Sequence, residues 1–268
     1  MVDIPMMSSV SHDRNSITDV NVTTQDIKTA QNILSINTPR HKTTVGSPRR
    51  SESGGTFMPK PGSHGASAAQ NATIPPSIHN IAVPKLTRQI QKGQKIPLDP
   101  ANAVQKIKVC LGWNVINPQC DIDVSAFLLG DDGKVPDDDW CVFYGQADSP
   151  DKAVHFSLSD GMDREYISVN LSKLNPSVKK IVFVLTINDA VKNKLNFSMV
   201  KDAYIRILNA DDQRELVSFK MTDYYSNVIS MMIGEIYLRD GSWKCNAIGN
   251  GVAKDLAGLC GLYGVQVS

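Results

Sequence analysis

All three tryptophans (Trp113, Trp140, Trp243), all seven tyrosines and every phenylalanine except Phe57 lie after residue 100 of this 268-residue chain. Large aromatic side chains dominate what a core can bury, so the folded unit has to be built from the later part of the sequence. Residues 1–84 are instead rich in Ser, Thr, Asn, Gln, Gly and Pro, as in Gly46-Ser47-Pro48-Arg49-Arg50 and Pro59-Lys60-Pro61-Gly62-Ser63. Such a stretch buries too little apolar surface to offset its chain entropy. A disordered tail over 1–84 and one domain over 85–268 are therefore expected. Within the tail, Ile27, Ala30, Ile33 and Leu34 fall at helical spacing behind Thr24 or Asp26, which suits a short helix, either transient or folded on a partner.

The formal charge is +1, and residues 85–268 hold 21 basic against 22 acidic side chains. Without a basic stripe there is little electrostatic drive toward phosphate, which argues against a nucleic-acid partner and against direct attraction to anionic lipid. No apolar run of about 18 residues exists, and the first residues lack the basic and apolar regions of a signal peptide, so a cytoplasmic protein is expected. Five cysteines (110, 120, 141, 245 and 260), with no CxxC pair, read as reduced, packed thiols.

From Val104 onward the pattern is mainly β. Residues 107–111, 121–129 and 166–171 alternate apolar with polar, whereas 181–187 is apolar on both faces and predicts a central, doubly covered strand. Asp132-Gly133 predicts a turn, 203–208 with 215–219 a hairpin, and 230–238 with 243–248 another, joined through Asp240-Gly241. Gly249-Asn250-Gly251 reads as a tight turn into a C-terminal helix over 252–262, with Ala253, Leu256, Ala257, Leu259 and Cys260 as its buried stripe. Many strands and few helices predict a β-sandwich of two sheets with short helices, one of them C-terminal.

In the run Asp121-Ile122-Asp123-Val124-Ser125-Ala126, alternate residues share a face, so Asp121, Asp123 and Ser125 line up opposite Ile122, Val124 and Ala126. Carboxylate roots about 6.8 Å apart can belong to one cation site or to a solvated polar face. An EF-hand does not fit, because Ala126, Phe127 and Leu128 follow where that loop needs Gly and a distal Glu. Catalytic patterns are scarce: His155 is the only histidine after residue 85, and no nucleophile elbow or His-Glu-x-x-His occurs, so an enzyme is not expected.

Leu111-Gly112-Trp113, the 121–129 run, Thr186-Ile187-Asn188-Asp189-Ala190, Gly234-Glu235-Ile236-Tyr237-Leu238-Arg239 and Ala247-Ile248-Gly249-Asn250-Gly251 recur in this order in a pattern that closely resembles the TerD family of tellurium-resistance and stress proteins. The resemblance implies a calcium-binding β-sandwich, with the ion held by the Asp-x-Asp strand and by an acidic loop. Asp121 and Asp123 match the strand pair, Asp189 matches the Asp after the long apolar strand, and Asp160, Asp163 and Glu165 are what remains of the loop. Gln119 stands where the family has a further Asp, and the loop is shortened, which lowers the carboxylate count on which calcium affinity depends. The resemblance further implies a non-enzymatic stress role beside other proteins of the tellurium-resistance system, in an assembly reaching the inner face of the membrane. The alternatives are a metal-free interaction or scaffold subunit whose tail recruits partners, and thiol chemistry on tellurite through Cys110, Cys120 and Cys141. The carboxylate beside Cys120 disfavours the last.

Overall fold

The computed structural model describes residues 80–159 and 161–266. The expected helix near Ile27, and nearly all of the expected tail, lie outside them. Among the described residues eleven strands form two sheets: β1 Lys95–Pro97, β2 Lys106–Val115, β3 Ile122–Leu129, β4 Cys141–Val142, β5 Val154–Leu158, β6 Glu165–Asn170, β7 Lys180–Ile187, β8 Val200–Asn209, β9 Glu215–Lys220, β10 Ser230–Arg239 and β11 Ser242–Val252. One sheet has the order β1-β11-β10-β7-β3-β4 and the other β5-β6-β2-β8-β9, each antiparallel throughout. Among the described residues two α-helices accompany them, α1 Ala190–Asn193 and α2 Leu256–Tyr263. The predicted β-sandwich with a C-terminal helix is what forms.

The doubly apolar run becomes β7, held between β3 and β10, with Ile181 to Ile187 buried on both faces. One face meets the other sheet, where a Cβ on Gly234 of β10 would stand 3.3 Å from Ile205 of β8. The opposite face is covered by α2, whose Tyr263 ring lies 4.6 Å from that of Phe127 on β3. Burial changes the reading of the 121–129 run: Ser125, expected on a solvated face, is 1% exposed. Asp255 caps α2 by accepting the Gly258 N–H at 2.9 Å.

Gly249-Asn250-Gly251 is not a turn into the helix. β11 continues through it to Val252 and stays paired with β10 across a register shift between Met232 and Gly234. Gly249 adopts φ +60°, and a Cβ on Gly251 would collide with Val228. These glycines allow a strand irregularity and a close approach.

Ordered contacts reach slightly before the expected domain start. The side-chain amide of Asn114 on β2 accepts the Ile81 N–H at 2.7 Å and donates to the Ile81 carbonyl at 3.0 Å, as a neighbouring strand would. Further along, Glu215 accepts the N–H groups of Thr87 and Arg88, and Ile90 N–H donates to the Ser218 carbonyl of edge strand β9 at 2.9 Å. The segment shields that edge.

Candidate metal centre

β3 begins beside the end of β7: Ile122 pairs with Ile187, and the Asp121 carbonyl accepts the Asn188 N–H at 2.7 Å. Asp121 is exposed, while Asp123, paired with Thr186, is half-buried. On the side of β3 away from β7, β4 pairs only with Ala126 and Phe127. Beyond it the Val124 N–H donates to Oε2 of Glu165, the first residue of β6 in the other sheet, at 2.9 Å. Glu165 is 8% exposed and links the two sheets at the open edge of β3.

These three acids feel one another. Burial pushes the Asp123 carboxyl up to about 7, and the charge of Asp121 adds to the rise. Glu165 is pushed up to about 8 by burial; the Val124 N–H opposes this, Asp123 and Asp121 reinforce it, and Arg164 opposes it in part. The Tyr144 phenol is raised to about 12 by burial and then by Asp123 and Asp121, which places it on the rim of the same field. A divalent cation among these groups would reverse the sign of that field and favour the ionised carboxylates. In charge and in hard oxygen donors the residues fit calcium. Among the described residues, however, no three acidic, His or Cys side chains converge on one ion position.

The remaining acids named from the sequence are placed differently. Asp160 lies outside the described residues. Asp163 is turned to the outer side of the β2/β8 sheet, where Arg206 donates from Nε to Oδ1 at 2.9 Å and from Nη2 to Oδ2 at 2.7 Å, and the Tyr204 hydroxyl donates at 3.0 Å. Both of its oxygens are thus occupied within a buried ion pair. Asp189 follows Asn188 at the mouth of β7, in the left-handed region at φ 48°, and its exposed carboxylate pairs with Lys192 at 3.3 Å. Its neighbour Asn188 is the residue bonded to Asp121, and the Asp189 side chain makes no cap bond to α1.

Glu165 is the residue that the Asp-x-Asp pattern does not reveal. The available signal is its position, where the acidic loop enters an alternating strand. His155 is a surface residue, bonded through Nδ1 to Asp148 at 2.8 Å. All five cysteines are free and buried. Burial and then Asp163 push the Cys110 thiol up to about 12, and burial alone raises Cys120, so the neighbouring Asp121 is not what disfavours a thiolate there.

The TerD domain family model matches residues 86–263. The tellurium resistance protein TerD of Serratia marcescens is 35% identical over 189 residues, covering 67% of this chain and 98% of that protein. General stress protein 16U of Bacillus subtilis (strain 168) is 34% identical over 193 residues, covering 68% of this chain and 100% of that protein. Among solved structures, a homologue of the telluride resistance protein TerD from Streptomyces coelicolor A3(2) has a TM-score of 0.44 at 17% identity, covering 57% of this chain and 94% of its own. With the domain matched across almost the whole folded part, and relatives aligned over nearly their full length, this chain belongs to the TerD family.

Proposed function

We propose that this chain is a non-enzymatic stress-response and tellurium-resistance protein that takes up calcium at the Asp121/Asp123 strand pair, with Glu165 and Asp189 as further oxygen donors that would have to move onto the ion. The observation that carries the metal reading is the 2.9 Å bond from the Val124 N–H to Glu165, which brings that carboxyl to the strand bearing Asp121 and Asp123; burial, with Asp121 adding to it, pushes the carboxyls of Asp123 and Glu165 up. A calcium ion would displace the protons of these carboxyls and draw further oxygens from the mouth of β3 and β7. The guanidinium of Arg206 on both oxygens of Asp163 favours an anchoring role for that residue over a ligand role.

The stress role is supported by the names of the relatives, which include a stress response protein SCP2 in Bacillus subtilis (strain 168). Tellurium resistance proteins TerA of Alcaligenes sp and TerX of Serratia marcescens are also similar, which supports partners within the same system. No helix among the described residues is long and apolar enough to cross a membrane, so association with the cytoplasmic face would run through those partners.

A second reading is a metal-free interaction subunit. The dispersal of the acids favours it, since Asp189 pairs with Lys192 and Asp163 with Arg206. Calorimetric titration of the full chain with calcium, and separately with magnesium, decides between them. Calcium binding that is lost in Asp121→Ala and in Asp123→Ala supports the centre. No heat at millimolar calcium, or equal binding in all three proteins, rejects it.

A further inference from the structure

Cys141 opens β4 in register with Phe127, whose ring meets that of Tyr263 at 4.6 Å. Cys260 stands three residues before Tyr263 on the same face of α2. The helix is fastened to the chain around β4 at several points. Val135 N–H donates to the Tyr263 carbonyl at 2.9 Å, Lys134 Nζ to the Leu262 carbonyl at 2.6 Å, and Gln266 N–H to Asp138 Oδ1 at 2.6 Å. Inside this clasp both thiols are enclosed, Cys141 and Cys260 being 3% and 6% exposed, and they lie close enough for each to shift the other's titration. Cys110 on β2, Cys120 before β3 and Cys245 on β11 belong to other parts of the fold.

We propose that Cys141 and Cys260 form a dithiol modification site that hydrogen peroxide converts to a disulfide, joining α2 covalently to the β4 edge of the six-stranded sheet. The placement comes from the fold: Cys141 is paired with Phe127, the ring of Phe127 meets that of Tyr263, and Cys260 lies one helical turn before Tyr263. Cys260, the more exposed of the two, is the thiol that peroxide reaches first. Its sulfur attacks one peroxide oxygen, so an S–O bond forms as the O–O bond breaks. The departing hydroxide combines with the Cys260 proton to give water. Cys141 sulfur then attacks the sulfenic sulfur, an S–S bond forms, the S–O bond breaks, and a second water leaves with the Cys141 proton. Two thiols lose two electrons and two protons, and one peroxide becomes two waters.

The test treats the folded full-length protein with hydrogen peroxide, then denatures it, alkylates remaining thiols and maps the peptides by mass spectrometry. The expected product is one cross-linked pair carrying Cys141 and Cys260, lighter by two hydrogens, with Cys110, Cys120 and Cys245 alkylated as before. Cys141 and Cys260 alkylated to the untreated level would overturn the proposal. So would disulfides spread over the other three cysteines. Because the readout uses the wild-type chain, it does not depend on any variant folding.

Discussion

Replacing Asp163 by alanine separates two roles for this residue, a metal ligand as the family resemblance implies or the anchor of Arg206. In the structure, its side chain is 6% exposed and that of Arg206 13%, so the substitution leaves a guanidinium largely buried without its fork partner. Breaking such a pair from one side costs about 3–5 kcal/mol, most of it the penalty of the stranded charge. The Tyr204 hydroxyl also loses its 3.0 Å acceptor, although the Met162 carbonyl remains within reach at 3.2 Å. For a domain of this size each kcal/mol moves the thermal midpoint by about 2–4 °C, so Asp163→Ala should melt about 6–20 °C lower without calcium. The calcium-induced rise in midpoint, measured on the same protein, should persist. Pairing Asp163→Leu with Arg206→Met removes both charges and should recover most of the loss. An unchanged metal-free midpoint with the calcium response abolished would refute the anchoring role.

Four further outcomes follow from the same geometry. The metal-free protein should lose stability as pH rises from about 5 to 8.5, because carboxyls with ordinary values of 3.8 and 4.5 sit at about 7 and about 8 in the fold, so the folded state holds the extra protons in that interval. The ceiling is about 4 kcal/mol for Asp123 alone; Asp123→Asn with Glu165→Gln should flatten the profile, and a wild-type midpoint that climbs over this range in the absence of metal contradicts the assignment. Asp189→Asn keeps an acceptor at the mouth of β7 while removing charge, so a weaker calcium response with unchanged metal-free melting marks a ligand, and the reverse leaves a turn residue. Gly112→Ala would drive a Cβ into the Tyr204 ring and should cost about 1–3 kcal/mol in a denaturant titration; wild-type stability would show that the ring moves freely. Removing residues 1–79 should leave the midpoint within about 1 °C, since every large aromatic residue except Phe57 lies after residue 100 and, among the described residues, the buried apolar core begins at Leu98, whereas removal through Ile90 uncovers β9 and should lower it.

The fold was largely legible because its longest strands carry the plainest patterns. Residues 181–187, apolar on both faces, could only be interior, and β7 lies between β3 and β10. Alternation over 166–171 became β6, and Asp240-Gly241 became the tight link between β10 and β11. What escaped was short or irregular. β1, of three residues, is too brief to show a period. The glycine pair in Gly249-Asn250-Gly251 reads as a turn locally, yet pairing with β10 carries the strand through, a tertiary preference that no local pattern encodes.

The candidate site was legible only where its residues are neighbours in sequence. Asp121 and Asp123 announce themselves by spacing, but whether the face they share is wet depends on what the fold packs over it: Asp121 is exposed, whereas Ser125 on the same face is buried. Glu165 joins them from the other sheet, 41 residues from the Val124 N–H it accepts. Asp163, two residues before Glu165, goes the other way, because Arg206 on β8 lies across the outer side of that sheet and holds it. Two acids of one short loop therefore have opposite fates for a reason outside the loop. In an extended chain, residues two apart take the same side, yet Asp163 precedes the strand that Glu165 opens, so the alternation rule does not apply across that boundary. What assigns each acid is the partner that the sandwich brings to it: a guanidinium for Asp163, and for Glu165 an open strand edge with two more carboxylates beside it.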